Sequence, residues 1–145
     1  MNSVEKAALR LIARAEQNSS GLTQKLLRRG FNPDEVKALV SSLLERGLLD
    51  DARYAELWIR SRLSQKKAPS PFWLRMSLEK RGIDREFARN ALEKLLDSET
   101  EYSLLLRYLE KIGFLDAKNT DYLRPQLKNE GFSFDVINKY FESIA

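Results

Sequence analysis

Apolar residues along the chain recur at spacings of three and four, and no stretch of useful length alternates as a β-strand would. Val4, Ala7, Ala8, Leu11, Ile12 and Ala15 form one such stripe. Ala52, Ala55, Trp58, Ile59 and Leu63 form a second, and Tyr102, Leu105, Leu106, Leu109 and Ile112 a third. After each stripe comes a pattern anchored on a glycine: Gly30, Gly82 and Gly131, 52 and 49 residues apart. Leucines precede each glycine by four and eight residues: Leu26 and Leu22, Leu78 and Leu74, Leu127 and Leu123. The residue after it is large and apolar (Phe31, Ile83, Phe132), and the next is a helix N-cap type (Asn32, Asp84, Ser133). Six, ten and thirteen residues beyond the glycines stand Val36, Val40 and Leu43, then Ala88, Leu92 and Leu95, then Ile137, Phe141 and Ile144. Three copies that agree at eight positions make a tandem repeat.

Each copy reads as helix, glycine stop, helix. A glycine directly after an apolar run spaced by four takes the left-handed position that ends a helix, and the apolar residue after it supplies the accompanying contact. Asn32-Pro33 and Ser70-Pro71 are caps followed by Pro at the first helical position, where the missing N–H costs nothing. With the preceding stripe, each copy predicts three helices. The chain is therefore expected to be all-α, with nine helices in three tandem three-helix units over residues 1–48, 49–97 and 98–145. Units of this size bury thin cores, so the stripes should continue through short links into an elongated array, straight or curved. Pro125 conflicts with a helix from Tyr122 to Glu130, which is expected to start late or bend.

Zero Cys and zero His exclude thiol nucleophiles, disulfides, Cys/His zinc sites and Ser-His-Asp triads. The carboxylate pairs Asp34-Glu35 and Asp50-Asp51 open helices, where capping already accounts for them. No Gly-rich phosphate loop and no metal-ligand spacing stands out. The expectation is a protein that is no enzyme and needs no cofactor or metal. No apolar run approaches the roughly 18 to 20 residues that cross a bilayer, and the start lacks an apolar signal region, so a cytoplasmic protein without a membrane partner is expected.

The stretch Glu45 to Leu63, with Gly47-Leu48-Leu49-Asp50-Asp51 followed by Arg53-Tyr54-Ala55, is the most specific segment of the chain. Together with Leu22 to Phe31 (LTQKLLRRGF) and Leu74 to Ile83 (LRMSLEKRGI), it resembles the RecX family across essentially the whole length. The resemblance implies a bacterial regulator of the recombinase RecA, built from three tandem three-helix repeats. Such proteins lodge in the groove of the RecA filament on single-stranded DNA, lower its ATP hydrolysis and strand exchange, and hinder its growth. Read without the family, Asp50 and Asp51 cap a helix and the following apolar residues form its core stripe. The chain departs from the family before Leu74, where Trp73 replaces a basic residue, and at Ser77, where a Glu is usual. Phe72 and Trp73 cannot easily both face a three-helix core. Trp73 is therefore either an aromatic surface contact or packed against the next unit.

Charge is uneven along the chain. Residues 1–49 carry 8 basic and 5 acidic side chains, 50–97 carry 11 and 8, and 98–145 carry 6 and 8, so the net excess of +4 comes from the first two units. Arg28-Arg29 and Lys80-Arg81 occupy equivalent positions before their glycines, where the third copy has Asn129-Glu130. Arg60, Arg62, Lys66, Lys67 and Arg75 bracket the long turn of the second unit, and Arg85 and Arg89 share a helix face. Singly, each suits a solvated helix end. Together with Phe72 and Trp73 they are the expected contacts to DNA phosphates or an acidic filament surface. The leading expectation is a monomer that regulates RecA filaments on single-stranded DNA. The alternative is a helix-turn-helix-like protein that binds DNA directly without sequence specificity and without RecA, through Arg85, Arg89 and Asn90. A helical scaffold for some other protein is a third option.

Overall fold

A computed structural model describes residues 2–66, 69–113 and 122–145. Among these residues there are nine helices and no strand. They are α1 (Ser3–Arg14), α2 (Ser19–Arg28), α3 (Pro33–Glu45), α4 (Asp51–Leu63), α5 (Pro71–Lys80), α6 (Arg85–Leu95), α7 (Ser98–Ile112), α8 (Leu123–Asn129) and α9 (Phe134–Ser143). They pack three by three around separate cores. Val4, Ala8, Leu22, Leu26, Val36 and Leu43 fill the first. Ala55, Ile59, Leu74, Leu78, Ile83 and Ala88 fill the second, and Leu104, Leu105, Leu109, Leu123, Leu127 and Phe132 the third. Leu49, at the sequence boundary between units one and two, is buried in the first core, while Leu63 packs against both the second and the third.

The glycine stops are one motif built three times. Gly30, Gly82 and Gly131 have φ of 88°, 91° and 90°. In each, the glycine N–H bonds back three residues (to Leu27, Glu79 and Lys128 carbonyls). The following apolar residue bonds back five: Phe31 to Leu26, Ile83 to Leu78 and Phe132 to Leu127. This is the Schellman pairing, and its apolar partners lie in the same core each time. Asn32 and Asp84 then cap α3 and α6 by accepting from Asp34 and Glu86 N–H groups. Pro125 falls at the third residue of α8, which starts late, at Leu123; within the first turn no intrahelical donor is lost.

Two stripes differ from the sequence pattern. In α7, Leu104 and Tyr108 are buried beside Leu105 and Leu109, while Tyr102, Leu106 and Ile112 are only partly covered. In α9 the buried residues are Val136, Ile137 and Tyr140; Phe141 is only partly covered and Ile144 is exposed. Both faces contain Ile137, and spacings of three and four fit each, so periodicity alone could not choose between them.

The units join in chain order by a repeated contact. The turn at Gly82 sits directly on Ser20 near the start of α2, with no room for a Cβ. At the equivalent place a Cβ on Gly131 would lie 2.9 Å from the Phe72 nitrogen near the start of α5, and Phe72 N–H donates to the Glu130 carbonyl at 2.9 Å. Side chains secure both joints. Asp51 accepts from Ser19 N–H (2.7 Å) and Ser19 Oγ (2.5 Å), and Arg53 Nε pairs with Glu16 at 2.9 Å. Arg107 of α7 donates to the Leu63 and Gln65 carbonyls at the end of α4, both at 3.2 Å.

Candidate functional site

Helix α4 places Trp58 and Arg62 one turn apart on a shared face, and α5 brings Trp73 and Arg81 against them. The rings of Trp58 and Trp73 stack with centroids 5.9 Å apart and 23° between planes. The Arg62 and Arg81 guanidinium carbons lie 5.1 and 5.3 Å from the Trp58 ring centroid, so the indole has cationic neighbours as well as the second aromatic ring. Alongside, the Arg75 guanidinium lies 5.7 Å from the Phe72 ring and 4.0 Å from Glu79. Phe72 and Trp73 remain 42% and 47% exposed. Trp73 thus presents surface, and the ring it packs on is Trp58 of its own unit rather than a residue of the next.

Among the described residues Arg62 has no carboxylate partner. Its side chain reaches Gln65 Oε1 at 3.4 Å, and packing closes over its Nε and the Trp58 Nε1 without an acceptor. Its positive charge is thus held by stacking rather than neutralised, which leaves it effective toward an anion. Beside this cluster a cleft of about 580 Å³ runs between the second and third units, lined by Arg62, Gln65, Trp73, Tyr108, Lys111 and Glu130 among others. Burial pushes the Tyr108 hydroxyl above its ordinary pKa, against a hydrogen bond to Gln126 that lowers it, with the Glu130 charge raising it further. The phenol is therefore neutral and able to donate at physiological pH.

Of the residues singled out by sequence, the structure gathers Arg62, Trp73 and Arg81 about the Trp58 ring and pairs Phe72 with Arg75 in the first half of α5; Arg81 itself stands at the end of α5. Lys80 is exposed in the last turn of α5; Arg60 and Lys66 are exposed at and beyond the end of α4. Arg28 and Arg29 end α2 in the first unit, exposed, and have no ring contact or ion pair among the described residues. Arg85 opens α6, and Arg89 is engaged by Glu86 at 3.6 Å, both exposed. Lys67 lies outside the described residues. Sequence reasoning missed Trp58, Tyr108 and Lys111. Trp58 fits the α4 stripe and so reads as core. Its four-residue spacing to Arg62 was the available signal for a cation-stacked surface. Tyr108 and Lys111 belong to the unit with excess negative charge, where a count by unit hides a local cationic edge.

No helix among the described residues is long and apolar enough to cross a membrane, and no group of three or more Asp and Glu side chains among them could hold a metal ion. The family model for the RecX second three-helix domain matches residues 50–92. A regulatory protein RecX of Halorhodospira halophila is 34% identical over 139 residues, covering 92% of this chain and 83% of the relative. One of Treponema pallidum is 38% identical over 108 residues, covering 74% of this chain; the match spans 65% of that relative's length. The crystal structure of RecX from Lactobacillus salivarius shares the fold at a TM-score of 0.75, over 97% of this chain and 93% of that one, with 22% identity.

Proposed function

Because the chain belongs to the RecX family, we propose that it regulates RecA by binding the filament that RecA forms on single-stranded DNA, lowering its ATP hydrolysis and strand exchange. The observation that supports this reading most directly is the exposed aromatic edge of α5 beside Arg62, Arg81 and Lys80, none of which is in an ion pair among the described residues. A filament of protein on DNA offers repeated acidic and phosphate surface, and such surface favours cations already stripped of competing carboxylates. Tandem units joined in chain order can touch successive protomers, so that weak contacts add through effective concentration.

This reading takes Phe72, Trp73, Arg62, Arg75 and Arg81 as the central contacts, with Arg60, Lys66 and Lys80 as further ones; Lys67, outside the described residues, joins them on sequence alone. Arg28, Arg29, Arg85 and Arg89 extend the cationic surface over the first unit and α6. The test is RecA ATPase on preformed filaments, titrated with the protein and with a variant carrying Arg62→Gln, Arg81→Gln and Trp73→Ala. The native chain is expected to lower the rate, and the variant to need about tenfold more protein for the same effect. An unchanged rate at several-fold molar excess of native chain would sink the proposal.

A further inference from the structure

We propose that the cleft between the second and third units is a binding site for one unpaired nucleobase of single-stranded DNA, with Trp73 as the stacking platform. Here Arg62 and Lys111 hold the flanking phosphates. The inference deepens the filament reading, since the strand in such a filament is single, but it makes the contact to DNA direct and independent of RecA. Three observations carry it. First, the 47% exposed indole of Trp73 lines the cleft while stacking on Trp58, which itself lies near two guanidiniums, so the platform is stiff before any ligand arrives. An aromatic ring already ordered by its neighbours loses little entropy on stacking a base.

Second, the charges converge there. Arg62 from α4 and Lys111 from α7 both line the cleft, and among the described residues neither is in an ion pair. Among the described residues that line the cleft, Glu130 is one carboxylate against these two cations. That balance favours a polyanion over an acidic-poor or neutral peptide. Third, the lining carries donors and acceptors, Gln65 and the neutral Tyr108 hydroxyl, of the kind that meet a base edge, in a volume of about 580 Å³, within the usual range of ligand sites. A duplex would bring phosphates alone, because its bases are stacked on one another and cannot reach Trp73. Only an unpaired base can use the ring, which commits the site to single strands.

The experiment omits RecA. A short oligothymidylate is titrated into the full chain while the emission of its two tryptophans is followed; labelled strands give affinities by anisotropy. An abasic strand of equal length, a duplex and polyglutamate are run in parallel. Oligothymidylate is expected to quench emission saturably and to bind about tenfold more tightly than the abasic strand. Trp73→Ala is expected to lose about that tenfold, and Trp73→Phe to retain most of it. Arg62→Gln with Lys111→Gln should reduce the slope of log affinity against log salt by about 1.4, for two lost phosphate contacts at roughly 0.7 each on a single strand. Equal affinity for abasic strand and oligothymidylate would overturn the proposal. So would tighter binding of polyglutamate, which would reassign the cleft to an acidic protein segment. Lowered RecA ATPase without oligothymidylate binding would remove this site and leave the regulatory reading standing. Oligothymidylate binding with unchanged ATPase would do the reverse.

Discussion

Two acidic side chains do the same work at different places in the chain. Asp51 accepts from the N–H and hydroxyl of Ser19 at the start of α2, and Glu101 accepts from the N–H (2.6 Å) and hydroxyl (2.9 Å) of Ser133 before α9. Each carboxylate satisfies a free donor at the positive end of a helix to which it does not belong. Asp97 is the ordinary version, capping its own helix, α7, through Thr100 N–H at 2.8 Å. The backbone and side chain of Thr100 hold its carboxyl below the usual carboxylate pKa, against an opposing effect of burial and with a lesser contribution from the Glu99 backbone. A folded pKa below the unfolded one means that the cap's ionic contribution is complete above the unfolded value and lost as pH falls through the folded one. Asn caps about as well as Asp but does not titrate. The melting temperature of native chain minus that of Asp97→Asn is therefore expected to be positive and flat near neutrality and to shrink as pH drops below about 4, as followed by circular dichroism. A difference that stays constant down to pH 2 would contradict it.

At the scale of helices and turns, most of the architecture is legible from sequence because its determinants are local. The Schellman stops need only a glycine, an apolar residue after it and a leucine four before, and all three copies display these together. Joints between units are not legible. Nothing in the identity of Ser20 or Phe72 announces that the next unit's glycine turn will rest on it; that follows from how whole units stack. For the same reason the Asp50-Asp51 pair reads in sequence as plain capping. Asp50 does cap α4 through Arg53 N–H, while Asp51 reaches back to the previous unit. The cation–aromatic part of the site was half legible, since Phe72, Trp73, Arg62 and Arg81 are conspicuous in sequence and the Trp58 ring at their centre is not. The stacking of units makes two glycines differ in a measurable way. Gly30 has open space around a built Cβ, so Gly30→Ala costs only the positive φ, about 1 to 2 kcal/mol. Gly131→Ala adds a clash with the Phe72 backbone and must open the joint. At about 3 °C per kcal/mol for a chain of this size, Gly30→Ala should melt a few degrees below native and Gly131→Ala clearly lower still. Equal melting temperatures would show that the joint has slack.

The whole molecule is a short row of units in contact with their nearest neighbours; Leu63 links the second and third cores, whereas the first two units are coupled by their joint rather than their cores. Between units one and two the joint consists of Asp51 on Ser19, Arg53 on Glu16 and the Gly82 turn on Ser20. The first core otherwise closes on itself, with Leu49 as its last member. Removing the Asp51 carboxylate strips two charge-assisted hydrogen bonds and leaves the first N–H of α2 without its acceptor, a loss of about 2 kcal/mol. The effect should be local. Native-state hydrogen exchange of Asp51→Ala is expected to show amides of α2 and its unit opening about 30-fold more readily, while those of α7 and α9 keep native protection. If regulation depends on several units engaging one filament together, the same variant should also weaken RecA inhibition although every cationic and aromatic contact residue is intact, because a loosened first unit no longer adds its contacts at the effective concentration the joint provides. Uniform loss of protection across all three units would mean that the chain unfolds as one block, and undiminished inhibition would mean that the first unit contributes no contact to the filament.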